Sequence, residues 1–180
     1  MNTTKNQKKE FNKEDVNRYL KKISKIYKKL TAGRMPAEII LVGGSVIAVN
    51  YHFRQSSTDI DAIIQASDAM RDAICRIRDD DELPDDWINS DFTKTASFSS
   101  MLRLYSRHYR TFSNVVEIRT VSGVFLIAMK MRSGRIYKHD ISDIIGILIE
   151  ENEKRKNPIN ISEIRDACKK LYGENGYDTM

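Results

Sequence analysis

With 180 residues, 41% apolar side chains, and only 8 glycines and 3 prolines, the chain fits one ordinary globular domain and is neither collagen-like nor low-complexity. Charged residues make up 31% of it, and 30 basic against 25 acidic side chains leave +5 at neutral pH, so a polyanionic partner is admitted but not required. The lysine-rich start lacks the apolar stretch of a secretion signal, no segment has the roughly 18 apolar residues of a membrane span, and Cys75 and Cys168 stand far apart. A cytoplasmic protein without a disulfide framework or zinc site is therefore expected, with both thiols packed on helices.

Residues 1–180 read as a single domain, with a basic N-terminal helix over 1–33, a core over 38–148 and a C-terminal helix over 160–173. Lys5, Lys8, Lys9 and Lys13 lead into the first helix, for which Asn12 is the expected cap and Asp15 its reciprocal partner. Val16, Tyr19, Leu20, Ile23, Ile26, Tyr27 and Leu30 follow helical spacing up to Gly33. The opposite face carries Lys21, Lys22, Lys25, Lys28 and Lys29, which suits either a solvated surface or a phosphate-backbone contact. Glu38 to Val42 predicts a buried strand, Gly43 and Gly44 a turn, and Ser45 to Phe53 an apolar helix.

After a polar loop over Arg54 to Thr58, Ile60 to Ile64 predicts a second strand, and Ser67 is the expected cap of a helix through about Arg78. Asp79 to Asp86, with Pro84, reads as a loop, and Trp87 anchors the segment after it. Ser100 to Ser106 and Val115 to Val121 predict two strands separated by a basic turn containing Arg107, His108 and Arg110. Helices are expected over Val124 to Met131, over Ile141 to Glu151, and from a Ser162 cap to Gly173.

Gly43, Gly44 and Ser45 stand at a strand-to-helix turn, where bare backbone can approach an anion and the helix start offers unpaired N–H groups. Asp59 and Asp61 are separated by two positions, so on a strand both carboxylates aim at one spot. Unless one of them is protonated, like charges so placed call for a cation, and hard oxygen donors without cysteine or an adjacent histidine suit Mg²⁺ or Mn²⁺. Two loop-edge surface aspartates would be the plain alternative, but the apolar residues Ile60, Ala62, Ile63 and Ile64 make idle carboxylates costly there. The thirteen residues at 46–58 suffice for a helix of about nine residues and a return loop. Such a connection would set the glycine turn beside the carboxylates, a geometry suited to phosphoryl transfer.

The pattern Gly43-Gly44-Ser45, then Arg54-Gln-Ser-Ser-Thr58-Asp59-Ile60-Asp61, resembles the signature of the nucleotidyltransferase superfamily typified by DNA polymerase β. Leu126-Ile-Ala-Met-Lys130-Met and Tyr137-Lys138-His139-Asp140-Ile141-Ser142-Asp143-Ile144 resemble later motifs of its minimal, abortive-infection AbiEii-like toxin branch. Leu83-Pro84-Asp-Asp-Trp87-Ile-Asn89 is similar as well, so the likeness runs from Glu38 to Leu148.

The resemblance implies an α/β (α+β) fold, a small mixed sheet flanked by helices. It also implies Mg²⁺-dependent transfer of a nucleoside monophosphate from an NTP to an acceptor hydroxyl. Asp59 and Asp61 would hold the metal, and Gly43, Gly44 and Ser45, with Arg54 and Thr58, would meet the nucleotide. Lys130 would neutralise phosphate charge, and Asp140 would be the aspartate of the last motif, though it also suits the N-cap of the following helix. A third strand carboxylate is usual in the superfamily. Glu117 is the candidate here, but Arg119 on the same strand face offers it a plain ion pair.

The acceptor would be RNA such as tRNA, a protein or a small molecule, and an antitoxin protein would be a partner. The rival expectation is a non-catalytic nucleotide-binding or interaction module on the same fold. His52, His108 and His139 fit no hydrolytic triad.

Overall fold

A computed structural model describes residues 9–134, 139–174 and 176. Lys5, Lys8, Tyr137 and Lys138 therefore lie outside the described residues.

Strand β1 (Phe11–Asn12) runs into helix α1 (Lys13–Leu30), whose start is a complete capping box: Asn12 accepts from the Asp15 N–H, and the Asp15 carboxylate accepts from the Asn12 N–H. Its buried stripe is Val16, Tyr19, Leu20, Ile23, Ser24 and Tyr27, and Lys21, Lys25, Lys28 and Lys29 face outward. Strand β2 (Ala37–Leu41) leads directly into α2 (Gly43–Asn50), so the glycines form the first turn of this helix rather than a loop before it. Ser45 through Val49 are all buried, which makes α2 a central helix with apolar residues on every side.

The chain returns through β3 (Ser56–Ser57), which pairs antiparallel with β1, and enters β4 (Ile60–Gln65). Helix α3 (Ala69–Asp80) follows, buried through Met70, Ala73 and Ile77. Ser67 does not cap it with its side chain, because its hydroxyl lies 3.2 Å from that of Tyr27 on α1. Strand β5 (Ile88–Asn89) comes next, then a 3₁₀ turn over Asp91–Lys94. Trp87, fully buried against Phe11 and Tyr19, fixes the loop that enters β5.

The segment read as a strand over Ser100 to Ser106 is instead a turn and the short helix α4 (Leu102–Tyr105), and the residues read as a basic turn form the edge strand β6 (Ser106–Phe112). The reversal occurs later, at Ser113 and Asn114. Both have positive φ, 55° and 57°, the backbone of a tight hairpin turn, before β7 (Val116–Val121). Helices α5 (Gly123–Ser133), α6 (Asp140–Lys154) and α7 (Ile161–Tyr172) complete the order. The last is capped by Asn160, which accepts from the Glu163 N–H, rather than by Ser162.

The main sheet has the order β5-β4-β2-β7-β6. β2 is antiparallel to β4 and parallel to β7, and β4 is parallel to β5, so this is the expected small mixed sheet with helices packed around it. Cys75 is half-buried on α3 and Cys168 buried on α7. Among the described residues no helix is long and apolar enough to cross a membrane.

Candidate active site

The register sets the site. Leu41 at the end of β2 pairs with Ala62, and the Val42 N–H donates to the Asp61 carbonyl, so the start of β4 lies against the start of α2. Gly43 has φ +61°, and a Cβ there would stand 2.5 Å from Asp61 Oδ2. Glycine is thus required twice, by the backbone conformation and by the carboxylate against it. At Gly44 a Cβ would stand 2.7 Å from Ser57 Oγ and 3.0 Å from Arg54 Nη2. The first turn of α2 therefore has an acid against one glycine and a guanidinium and a hydroxyl against the next. Its leading amides have no intrahelical acceptor, and the positive end of the helix dipole faces the same space.

Ser45 plays a different part. It is fully buried, and its hydroxyl donates to the Val42 carbonyl at 2.7 Å and to the Asp61 carbonyl at 3.3 Å, which ties the turn to β4.

The other groups, but not Ser45, line a cavity of about 940 Å³. Gly43, Gly44, Arg54, Thr58, Asp59 and Asp61 form one part of its wall, and Lys130, Asp140 and Asp143 another. Lys130, on α5, lies 2.9 Å from Asp140 and 2.7 Å from Asp143, both in the first turn of α6. Asp140 also accepts from the Ser133 hydroxyl, and Asp143 from Arg54 at 2.8 Å. His139, not Asp140, is the residue before the helix, so Asp140 is its first residue rather than its cap. Arg54 is fixed on two sides, by Asp143 and by the Ser56 carbonyl, leaving Nη2 beside Gly44.

Helix α6 is held against the loop after α2 along one face. Gly146 receives the Phe53 ring, Glu150 accepts from the backbone N–H groups of His52 and Phe53, and Glu151 accepts from the Tyr51 hydroxyl at 2.7 Å. Burial, then the bond to Glu151, push the Tyr51 phenol well above its ordinary pKa, so it remains a donor.

A family described as "Nucleotidyltransferase of unknown function (DUF6036)" matches residues 18–155. The chain belongs to this family. No curated protein and no solved structure matches it. The matched span takes in both glycines, the Asp59–Asp61 pair, Lys130 and both α6 aspartates, so the nucleotidyltransferase family model covers each wall of the cavity.

Glu117 is not brought to the cavity. It pairs across the sheet with Glu38, which in turn pairs with Gln65, so it stands roughly 13 Å along the strand direction from Asp61 and two strands away. There it meets Arg119 at 2.7 Å, and Arg119 approaches Glu38 as well. The β7 position level with Asp61 is Val121, which is buried and apolar. Among the described residues no three His, Cys, Asp or Glu side chains converge as a ready metal site. Asp59 and Asp61 both line the cavity, and carboxylate oxygens are donors of the kind a hard divalent cation takes.

One residue of the wall escaped sequence reasoning. Asn89 on β5 pairs with Asp61, and its Nδ2 reaches Asp59 Oδ2 at 3.5 Å. The signal was the Leu83–Asn89 stretch, where Trp87 and Ile88 point into the core and Asn89 lies on the cavity side.

Proposed function

We propose that this protein is a Mg²⁺-dependent nucleotidyltransferase of the AbiEii-like kind that moves a nucleoside monophosphate from an NTP to an acceptor hydroxyl. The observation that carries the reading is the contact of Gly43 with Asp61 beside that of Gly44 with Arg54 and Ser57, which joins an anion cradle to a carboxylate pair. Asp59 and Asp61 would hold the cation, and their chemistry fits it: paired hard oxygens flanking a space open to phosphate. When bound, the cation would neutralise charge developing on the phosphates.

The α2 amides, Arg54 and Thr58 bind and orient the triphosphate. Lys130 and Asp140 hold the α5–α6 wall in place around it. The acceptor oxygen bonds to the α-phosphorus as the bridging oxygen leaves with pyrophosphate, and the acceptor proton passes to the Asp59–Asp61 pair. Positioning and charge neutralisation supply most of the rate. RNA is the favoured acceptor class, because Lys21, Lys25, Lys28 and Lys29 of α1 are exposed and none makes an ion pair with another described residue. An antitoxin protein would be the regulatory partner.

A second reading, a non-catalytic nucleotide-binding module, is favoured by the capture of Glu117 by Arg119, since among the described residues no carboxylate of β2 or β7 lines the cavity beside the pair. One experiment separates the two: each α-labelled NTP with Mg²⁺ and total cellular RNA, resolved by denaturing electrophoresis. Transfer of label that disappears in Asp59→Ala and Asp61→Ala, with unchanged circular dichroism, supports the enzyme. Metal-dependent NTP binding without transfer to RNA, protein or small molecule supports the module, and undiminished transfer by both variants defeats the assignment of the pair.

A further inference from the structure

Asn89 lies on the edge strand β5, and its pairing with Asp61 puts both side chains on one face of the sheet. Its carboxamide has one satisfactory orientation. Oδ1 accepts from the Asp91 backbone N–H at 3.0 Å, so Nδ2 occupies the other side, where it donates to the Asp86 carbonyl at 3.1 Å and meets Asp59 Oδ2 at 3.5 Å. A flipped amide would set oxygen against two acceptors and nitrogen against a donor. Backbone atoms on both sides thus aim a neutral donor at one oxygen of Asp59.

We propose that Asn89 is a positioning residue for the divalent-cation site, orienting Asp59 through Oδ2 while the Thr58 hydroxyl meets Oδ1 at 3.4 Å, and leaving the remaining lone pairs for the cation; this rests on the nucleotidyltransferase reading above. A carboxylate at this place would add to the repulsion between Asp59 and Asp61, whereas an amide orients without adding charge. Partners that orient ligating carboxylates commonly govern metal affinity by about 10- to 100-fold. Edge strand β5 therefore acts at the site on the side of β4 opposite the strand that carries Glu117.

The test has two readouts. In metal-free protein, the side-chain amide proton resonances of Asn89 are compared between wild type and Asp59→Ala. Mn²⁺ is then titrated by electron paramagnetic resonance into wild type, Asn89→Ala and Asn89→Asp, with circular dichroism verifying the fold. The Asn89 amide protons are expected to shift when Asp59 is removed. Asn89→Ala should bind Mn²⁺ about tenfold more weakly or worse, and Asn89→Asp, which keeps an acceptor for the Asp91 N–H, should bind it more tightly than Asn89→Ala. Amide resonances indifferent to Asp59, or wild-type Mn²⁺ affinity in Asn89→Ala, overturn this proposal alone. A wild-type protein that takes up no Mn²⁺ overturns the reading of the cavity, and this proposal with it.

Discussion

Lys130 Nζ stands 2.9 Å from Asp140 Oδ1 and 2.7 Å from Asp143 Oδ2, with all three side chains at most one-tenth exposed. Arg54 adds a second cation on Asp143, so two acids and two bases share one buried network that joins α5, α6 and the loop before β3. Removing one partner of a buried pair strands its charge, which typically costs about 3–5 kcal/mol. Lys130→Ala should therefore lower stability by about that amount in urea denaturation, because two neighbouring carboxylates lose their shared ammonium. A loss below about 1 kcal/mol would mean that solvent already compensates these carboxylates. The same result bears on activity, since an inactive Lys130→Ala protein shows a phosphate contact only where its fold is intact.

The two glycines separate by mechanism. Gly43→Ala meets both a left-handed backbone, worth about 1–2 kcal/mol, and the Asp61 carboxylate, so it should destabilise by at least that much and weaken Mn²⁺ binding by displacing Asp61. Gly44→Ala meets only side-chain ends, Ser57 Oγ and Arg54 Nη2, and its backbone is not left-handed. It should cost less than about 1 kcal/mol and act on the nucleotide, raising KM for NTP with Mn²⁺ affinity retained. Thermal denaturation with parallel metal and NTP titrations checks the pair, and equal effects of both substitutions on Mn²⁺ would contradict it.

Glu117 lies outside the cavity, in a half-buried pair with Arg119. Glu117→Gln should leave Mn²⁺ affinity and nucleotidyl transfer within twofold of wild type, with a stability change below about 1 kcal/mol. A tenfold loss of metal binding in this variant would restore it as a ligand.

Much of this was legible in advance, for identifiable reasons. The capping box at Asn12 and Asp15 and the apolar stripe of α1 are local signals, and the structure has both. The spacing of Asp59 and Asp61 and the glycine pair are short-range patterns; the pairing of β2 with β4 sets Asp61 against Gly43, while Asp59 lies in the bend just before β4. The edge strand β6 was not legible, because Arg107, His108 and Arg110 are exposed and imitate a polar turn, while the residues that actually reverse the chain are Ser113 and Asn114. Nor was the place of Glu117, because register decides it: a carboxylate on the expected strand sits at the wrong height. Asn89 was hidden for another reason. Its bonds to Asp91 and Asp86 are local, but the carboxylate it addresses is 30 residues away in sequence.

Glu150 gives the attachment of α6 a pH signature. Burial would raise its carboxyl, but the backbone N–H and ring of His52, the Phe53 N–H and Lys154 outweigh that and hold it down at about 2, against an ordinary 4.5. With the folded value below the unfolded one, its contribution is complete above pH 4.5 and is lost as pH falls toward about 2. Glu150→Gln keeps an acceptor for the two backbone amides but not the charge. Its melting temperature should lie below that of wild type near neutrality and fall less steeply between pH 4.5 and 2. Parallel melting curves across that window would show that the carboxylate does not secure α6 to the loop bearing Tyr51, His52 and Phe53.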